Sequence, residues 1–273
     1  MIKITFFGVR GSTPCAGPDY IHYGGHTSCI AIELDDWLVI LDAGSGIADA
    51  SHLALSNPHK QILLLFSHVH LDHIMGLPFF APVWKKDMTI NIMAGSLEPY
   101  GGIHHFLNNT FTPPLFPIKF ANFAANIQCH DFKAGNTLEP FPNLKIDTCA
   151  LNHPNGAVGY RLNYKGKSVC YITDTEHSLE KPDHSILNLI KNSDLVIYDS
   201  SYDDNNFSTY KGWGHSTWQE GVRLAKKANA KKLAIFHHDP RNTDDKMEII
   251  EKSATQEWDG TFVAKQAETV VLE

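Results

Sequence analysis

The sequence predicts an α+β fold organised as one domain over residues 1–273, and three observations carry that expectation. Hydrophobic residues make up 43% of 273 positions and are spread evenly in short runs, so one large core can form. Most of those runs are of strand length and are separated by stretches with helical patterning. Four of them stop abruptly at histidine or aspartate, which places metal-ligating side chains where strands end.

Composition narrows the function classes. A formal charge of −7 argues against broad, non-specific affinity for nucleic acid, because phosphate contacts need clustered Lys and Arg. Met1 to Phe7 reads as a strand and not as a signal peptide, and no apolar run approaches membrane-spanning length, so a cytoplasmic protein with no membrane partner is expected. The five cysteines are odd in number and show no C-x-x-C pair, which indicates neither a disulfide framework nor a zinc knuckle.

In chain order, Ile2 to Phe7 alternates apolar and polar residues and reads as an edge strand entering the Gly-rich loop Gly8 to Pro14. Cys29 to Leu34 and Trp37 to Leu41 read as a strand pair joined by Asp35-Asp36 and ending at Asp42-Ala43-Gly44, with a helix from about Ile47 to Leu55. Ile62 to Phe66 is wholly apolar and, with Pro58 upstream, too short for a buried helix. It runs straight into Ser67-His68-Val69-His70-Leu71-Asp72-His73. In an extended segment His68 and His70 project to the same face, and Asp72 and His73 follow where a helix would begin. Three imidazoles and a carboxylate in six residues suit borderline divalent metals.

Residues 78–127 are rich in Pro, Phe and Gly and lack a clean period, apart from a strand at Thr89 to Met93 and a helix around Gly102 to Asn108. Prolines stiffen this stretch and remove donors, so it reads as a rigid apolar flap instead of a sheet member. It is either a covering for the core or one wall of a substrate pocket, with Phe111 and Phe116 as the candidate wall residues. Strands at Leu144 to Ala150 and Ser168 to Thr173 then lead into His153 and Asp174, with the strand Gly159 to Tyr164 between them. A helix near Pro182 to Asn192 precedes a buried strand, Leu195 to Tyr198. Ser216 or Thr217 caps an amphipathic helix reaching about Ala228, with His215 just outside it. Lys232 to Phe236 ends in His237-His238, a helix spans Thr243 to Trp258, and two strands close the chain.

The order His68-x-His70-x-Asp72-His73, then His153, Asp174 and a late strand-end histidine, resembles the metallo-β-lactamase superfamily over nearly the whole chain. The resemblance implies a four-layer αββα sandwich with two divalent metal ions, zinc first and manganese or iron as alternatives. It assigns His68, His70 and His153 to one ion, Asp72, His73 and His237 to the other, and Asp174 to both. His237 is favoured over His238 because the family pattern falls there and because Phe236 would then face the core.

The segment Gly214-His215-Ser216-Thr217, followed by His237-x-x-Pro240-Arg241, is similar to that of tRNase Z and of phosphoribosyl cyclic phosphodiesterase. This implies a phosphodiesterase with Asp72 and His215 catalytic: Asp72 would orient water, and His215 would stabilise developing charge or protonate the leaving oxygen. Ser216 is a candidate substrate contact. The long tRNA-gripping arm of tRNase Z would lie between His153 and Asp174, where only a strand pair is found, so the expected partner is a small cyclic phosphate or nucleotide and precursor tRNA is a poor fit. A homodimer is compatible with the sequence. The competing classes are a lactone or thioester hydrolase on the same scaffold and a metal-binding module without activity.

Overall fold

The computed structural model describes residues 1–35, 37–56 and 61–273. Asp36, in the expected Asp35-Asp36 turn, and Pro58 lie outside the described residues. Along the chain run β1 (Ile2–Gly8), β2 (Cys29–Glu33), β3 (Leu38–Leu41), α1 (Ile47–Ser56), β4 (Gln61–Phe66), α2 (Leu71–Ile74), β5 (Thr89–Ala94), α3 (Gly102–Thr110), β6 (Asn126–Asp131) and β7 (Thr137–Phe141). They are followed by β8 (Leu144–Leu151), β9 (Ala157–Tyr164), β10 (Lys167–Ile172), α4 (His184–Leu189), β11 (Leu195–Asp199), α5 (Trp218–Lys227), β12 (Leu233–Phe236), α6 (Asp244–Glu257), β13 (Thr261–Val263) and β14 (Thr269–Leu272).

Among the described residues the strands form two seven-stranded sheets, ordered β14-β1-β2-β3-β4-β5-β6 and β13-β12-β11-β10-β9-β8-β7. Their inner faces meet in one apolar layer, where Leu63 and Leu65 of β4 join Ile146, Tyr171 and Phe236 of the other sheet. The outer face of the first sheet, including Ile62, Leu64 and Phe66, is covered by α1 and α3. The outer face of the second, with Ile172, Val196 and Tyr198, is covered by α4 and α5, and Met247 and Ile250 of α6 pack on Ile235. The result is the four-layer αββα sandwich.

Strand β4 shows how the sequence fixes the site's position. Ile62 to Phe66 are all at most 1% exposed because both faces are covered. Each such side chain contributes about 1.5–3 kcal/mol of burial, and a one-residue slip would exchange every side chain between the two apolar layers. The turn that follows β4 is therefore held in one place on the sheet edge. Among the described residues, no helix is long and apolar enough to cross a membrane.

Three expectations need correction. β1 is not an edge strand: β14 returns from the end of the chain and pairs antiparallel with it, leaving β1 between β14 and β2. The Pro- and Phe-rich segment is not only a flap: the strand expected at Thr89 to Met93 is β5, a sheet member between β4 and β6 in parallel pairing, and at its end the segment enters β6, which was not expected. Its short turns and α3 form most of the cover over the first sheet, which explains the missing period: the side chains pack downward from irregular backbone. The expected helix at Pro182 starts later, where Asp183 caps α4 by accepting from the backbone N–H groups of Ser185 and Ile186.

Candidate metal centre

β3, β4, β10, β11 and β12 end at the same edge of the sandwich, as does β8, and each delivers a polar residue there. Asp42, Asp174 and His237, just past the ends of β3, β10 and β12, all adopt φ of 60°, the left-handed region. A non-glycine residue there costs on the order of 1–3 kcal/mol, so the surrounding contacts must hold these turns.

Asp174 occupies the centre. Its Oδ1 lies 3.7 Å from His68 Nε2 and 3.6 Å from His153 Nε2, while its Oδ2 lies 3.2 Å from Nε2 of both His73 and His237. On one side, His70 Nδ1 is 3.0 Å from His153 Nε2. On the other, Asp72 Oδ2 is 3.3 Å from His73 Nε2 and 3.5 Å from His237 Nε2, and the two imidazole nitrogens are 3.3 Å apart. Two groups of ligand atoms, from His68, His70 and His153 and from Asp72, His73 and His237, each lie within 4.8 Å of one another.

This donor set fits divalent ions. Buried His68 Nε2 has no hydrogen-bond partner and points at Asp174, and imidazole nitrogens face each other elsewhere in the cluster. A cation between them satisfies lone pairs that hydrogen bonds alone leave in conflict. In the metal-free protein, burial and the neighbouring imidazoles hold His68 well below the usual histidine range. Burial also lowers His153 against the pull of Asp174. Both are then neutral, the form a metal requires. Burial opposes a charged His73, but Asp72, Asp174 and Asp42 win and raise it well above its ordinary value. That proton must leave when an ion binds. Burial likewise opposes the charged carboxylates, yet His73 and His237 keep Asp72 and Asp174 ionised well below the usual range.

A further set of contacts orients the ligands. Asp42, fully buried, accepts from Ser67 N and Oγ at 2.7 Å each, from His73 Nδ1 at 2.8 Å and from the Tyr171 hydroxyl at 2.8 Å. His153 Nδ1 donates to the Gly214 carbonyl at 2.7 Å, leaving Nε2 for the cluster. The Ser12 backbone N–H donates to Asp72 Oδ2 at 2.7 Å. Two glycines make room for the rings: a Cβ at Gly11 would sit 2.3 Å from His237, and one at Gly214 would sit 2.3 Å from His153.

His215 lies at the rim of the cluster, its ring centroid 4.9 Å from that of His237 and 5.3 Å from that of His153. Its Nδ1 is 2.9 Å from Asp199 Oδ2 and 3.7 Å from Asp174 Oδ1. Burial works against the imidazolium, but Asp199, with Asp174 and Asp72 behind it, raises His215 to about 9 in the metal-free protein. Asp199 is itself fixed by Thr175 N and by Ser201 N and Oγ.

The structure thus brings together His68, His70, Asp72, His73, His153, Asp174, His237 and His215. His238 turns away, fully buried with Nε2 2.8 Å from the Ala264 carbonyl, and burial pushes it down to about 3. Ser216 is not at the surface of the site: its hydroxyl bonds Tyr198 at 2.9 Å and His177 at 2.8 Å, both buried. Thr217, not Ser216, caps α5, accepting from Glu220 N at 3.1 Å. Phe111 is 5% exposed within the cover over the first sheet and Phe116 packs against it, rings 6.4 Å apart. The cavity beside His68 and His70 is walled instead by Leu97, Tyr100 and Phe106. The orienting residues Asp42 and Asp199 carry the same sequence signal as Asp174, an aspartate at the end of an apolar strand, and are not among the site residues expected from the sequence.

A family model described as a β-lactamase superfamily domain matches residues 38–238. The Ribonuclease Z of Sulfurisphaera tokodaii is 29% identical over 300 residues, spanning 97% of this chain and 96% of its own. Among solved structures, a diphosphatase of the PhnP family superposes with a TM-score of 0.72 at 21% identity, covering 100% of this chain and 98% of its own. The short form of human tRNase Z superposes with a TM-score of 0.69 at 18% identity, covering 99% of both chains. The expectation that precursor tRNA is a poor partner, in favour of a small phosphodiester, is corrected by these matches. Full-length similarity to proteins named Ribonuclease Z removes the ground for excluding tRNA from the length of one interval, His153 to Asp174.

Proposed function

Because the chain belongs to the metallo-β-lactamase superfamily, we propose that this centre hydrolyses phosphodiesters with two divalent ions, and that its substrate is RNA. Zinc is the first choice of metal, with manganese or iron as alternatives, since every donor is N or O. When bound, such ions polarise a phosphoryl oxygen and make water nucleophilic near neutral pH. The protein's own residues do the rest. Asp72, fixed by the Ser12 N–H, orients water at the cluster. His215, with Nδ1 engaged by Asp199, presents Nε2 to the developing charge or to the leaving oxygen.

The His215–Asp199 pair is the observation that carries this reading. An imidazole donor backed by a buried carboxylate suits an oxyanion leaving from phosphorus, and an acyl hydrolase has less need of one. The Ribonuclease Z relatives support RNA as the substrate. A net charge of −7 supplies no general attraction for a polyanion, so binding rests on the metal centre and on local contacts.

The test compares zinc- and manganese-loaded protein on bis-p-nitrophenyl phosphate, on precursor tRNA with a 3′ extension, and on p-nitrophenyl butyrate. Phosphodiester cleavage is expected, falling about 10²- to 10⁴-fold in His215→Ala with metal content retained. Normal phosphodiester turnover in the variant, or activity on the acyl ester alone, overturns the reading.

A further inference from the structure

A cavity of about 250 Å³ opens directly beside His68 and His70. Leu97, Tyr100 and Phe106 form its apolar walls, and Ser96 and Asn155 supply the polar side chains among its lining. The amide of Asn155 bridges the cavity to the metal ligands: its Oδ1 is 3.4 Å from His70 Nε2, and its Nδ2 is 3.4 Å from the Tyr100 hydroxyl. Both contacts are at the outer limit for a hydrogen bond, so donor and acceptor keep capacity for a ligand. Asn155 itself sits at φ 65°, on the turn between β8 and β9 that also carries His153.

We infer that this cavity is a nucleobase subsite: it takes the base of one nucleotide flanking the scissile phosphate, stacked against Tyr100 and Phe106 with its polar edge towards Asn155 and Ser96. This deepens the proposed phosphodiesterase reading and rests on it. Three features select a base over other occupants. The cavity adjoins the metal ligands, so its occupant is covalently close to the reacting phosphorus. Two aromatic side chains offer stacking faces, which any base can use. An amide and a hydroxyl presenting donor and acceptor would be left unpaired by an alkyl chain, and a site with such groups discriminates against ligands that lack partners for them.

The test uses two chromogenic phosphodiesters, the p-nitrophenyl ester of thymidine 5′-phosphate and methyl p-nitrophenyl phosphate, which carries no base. The wild type is expected to favour the thymidine ester in kcat/KM, mainly through KM. Tyr100→Ala and Phe106→Ala should each lower the ratio of the two kcat/KM values by about tenfold, while Tyr100→Phe, which keeps the stacking face, retains it. Binding of thymidine 5′-phosphate to metal-loaded protein, measured by calorimetry, should weaken in parallel. Hydrolysis of both esters with no preference for the base, or a ratio unchanged in the alanine variants, overturns the subsite and leaves the phosphodiesterase reading standing. Thymidine 5′-phosphate binding that depends on Tyr100 without hydrolysis of either ester overturns the phosphodiesterase reading and retains the subsite. If Phe106→Ala instead impairs hydrolysis of p-nitrophenyl butyrate, the cavity belongs to an acyl chain and the inference fails.

Discussion

The two halves of the metal centre are built to different standards of enclosure. His73, His237 and Asp72 are all buried, and the rings are held from behind by Asp42 and by Ser201, whose hydroxyl is 3.1 Å from His237 Nδ1. In the other half His68 and the His153 ring are also buried, the latter's side chain only 2% exposed, and His70 alone is half-buried; the outer contacts of His70 and His153 are a weak bond to the Asn155 amide and a bond to the Gly214 carbonyl. One half is sealed and backed by a buried negative charge. The other reaches the cavity beside Tyr100 through His68 and His70, with His70 its one half-buried ring, and is backed by neutral groups. Since the groups behind a ligand set its orientation and basicity, the proposed two-metal reading expects the sealed half to be the better preorganised for an ion and the half beside the cavity to receive the substrate.

The most severe way to break this arrangement is to remove the residue the halves share. Asp174→Ala deletes the carboxylate that, among the described residues, faces both histidine groups, and so removes the ligand proposed to serve both ions. Elemental analysis should show loss of most bound metal, and turnover should fall below that of His215→Ala. Unchanged metal content would refute the shared role. A finer comparison sets Asp42→Asn against Asn155→Ala. The first removes the charge behind His73 and leaves an amide among four hydrogen-bond donors, so metal affinity measured by chelator competition should drop about 10- to 100-fold. The second removes a long bond at a partly solvated ring and should cost less than about tenfold. Equal losses would mean that the halves do not differ as described.

What could be read from the sequence divides along similar lines. The seven positions proposed as ligands, which the fold gathers into one cluster, could be picked out because they follow the ends of apolar runs, and a strand end is a local feature. The roles of Asp42 and Asp199 could not, although both stand at strand ends. Asp42 meets His73 across 31 positions and Tyr171 across 129, so its role exists only once both sheets are packed together. Ser216 was assigned to the wrong environment for the opposite reason. Its neighbour His215 faces the cluster, but one residue further along the backbone the side chain turns inward to Tyr198 and His177. Phe111 illustrates a third limit: without a period, nothing local says which aromatic residues of 78–127 lie under the cover and which, like Tyr100 and Phe106, face the cavity.

The smallest effect is expected at the opposite end of the strands, where Asp194 precedes β11. Like Asp42 it is a buried carboxylate that gathers donors, accepting from Ser168 N at 2.8 Å, Ser168 Oγ at 3.2 Å and Lys231 Nζ at 2.7 Å. Unlike Asp42 it touches no ligand. Burial opposes its charge, but the Lys231 and Ser168 bonds prevail and hold its pKa below the usual aspartate value. A carboxyl depressed by folding contributes stability above its unfolded pKa of about 3.9, and that contribution disappears as pH falls through the lower folded value. Asp194→Asn should therefore cost about 1–2 kcal/mol at pH 7, discounted for the exposed Lys231 partner. The gap to wild type should close in acid below about pH 4. Denaturant titration of the metal-free protein at both pH values measures this without interference from bound ions. Metal affinity, determined separately at pH 7, should be unaffected. A variant that lost metal as well would show that carboxylates at either end of the strands support the centre, and the distinction between a catalytic edge and a purely structural one would not hold.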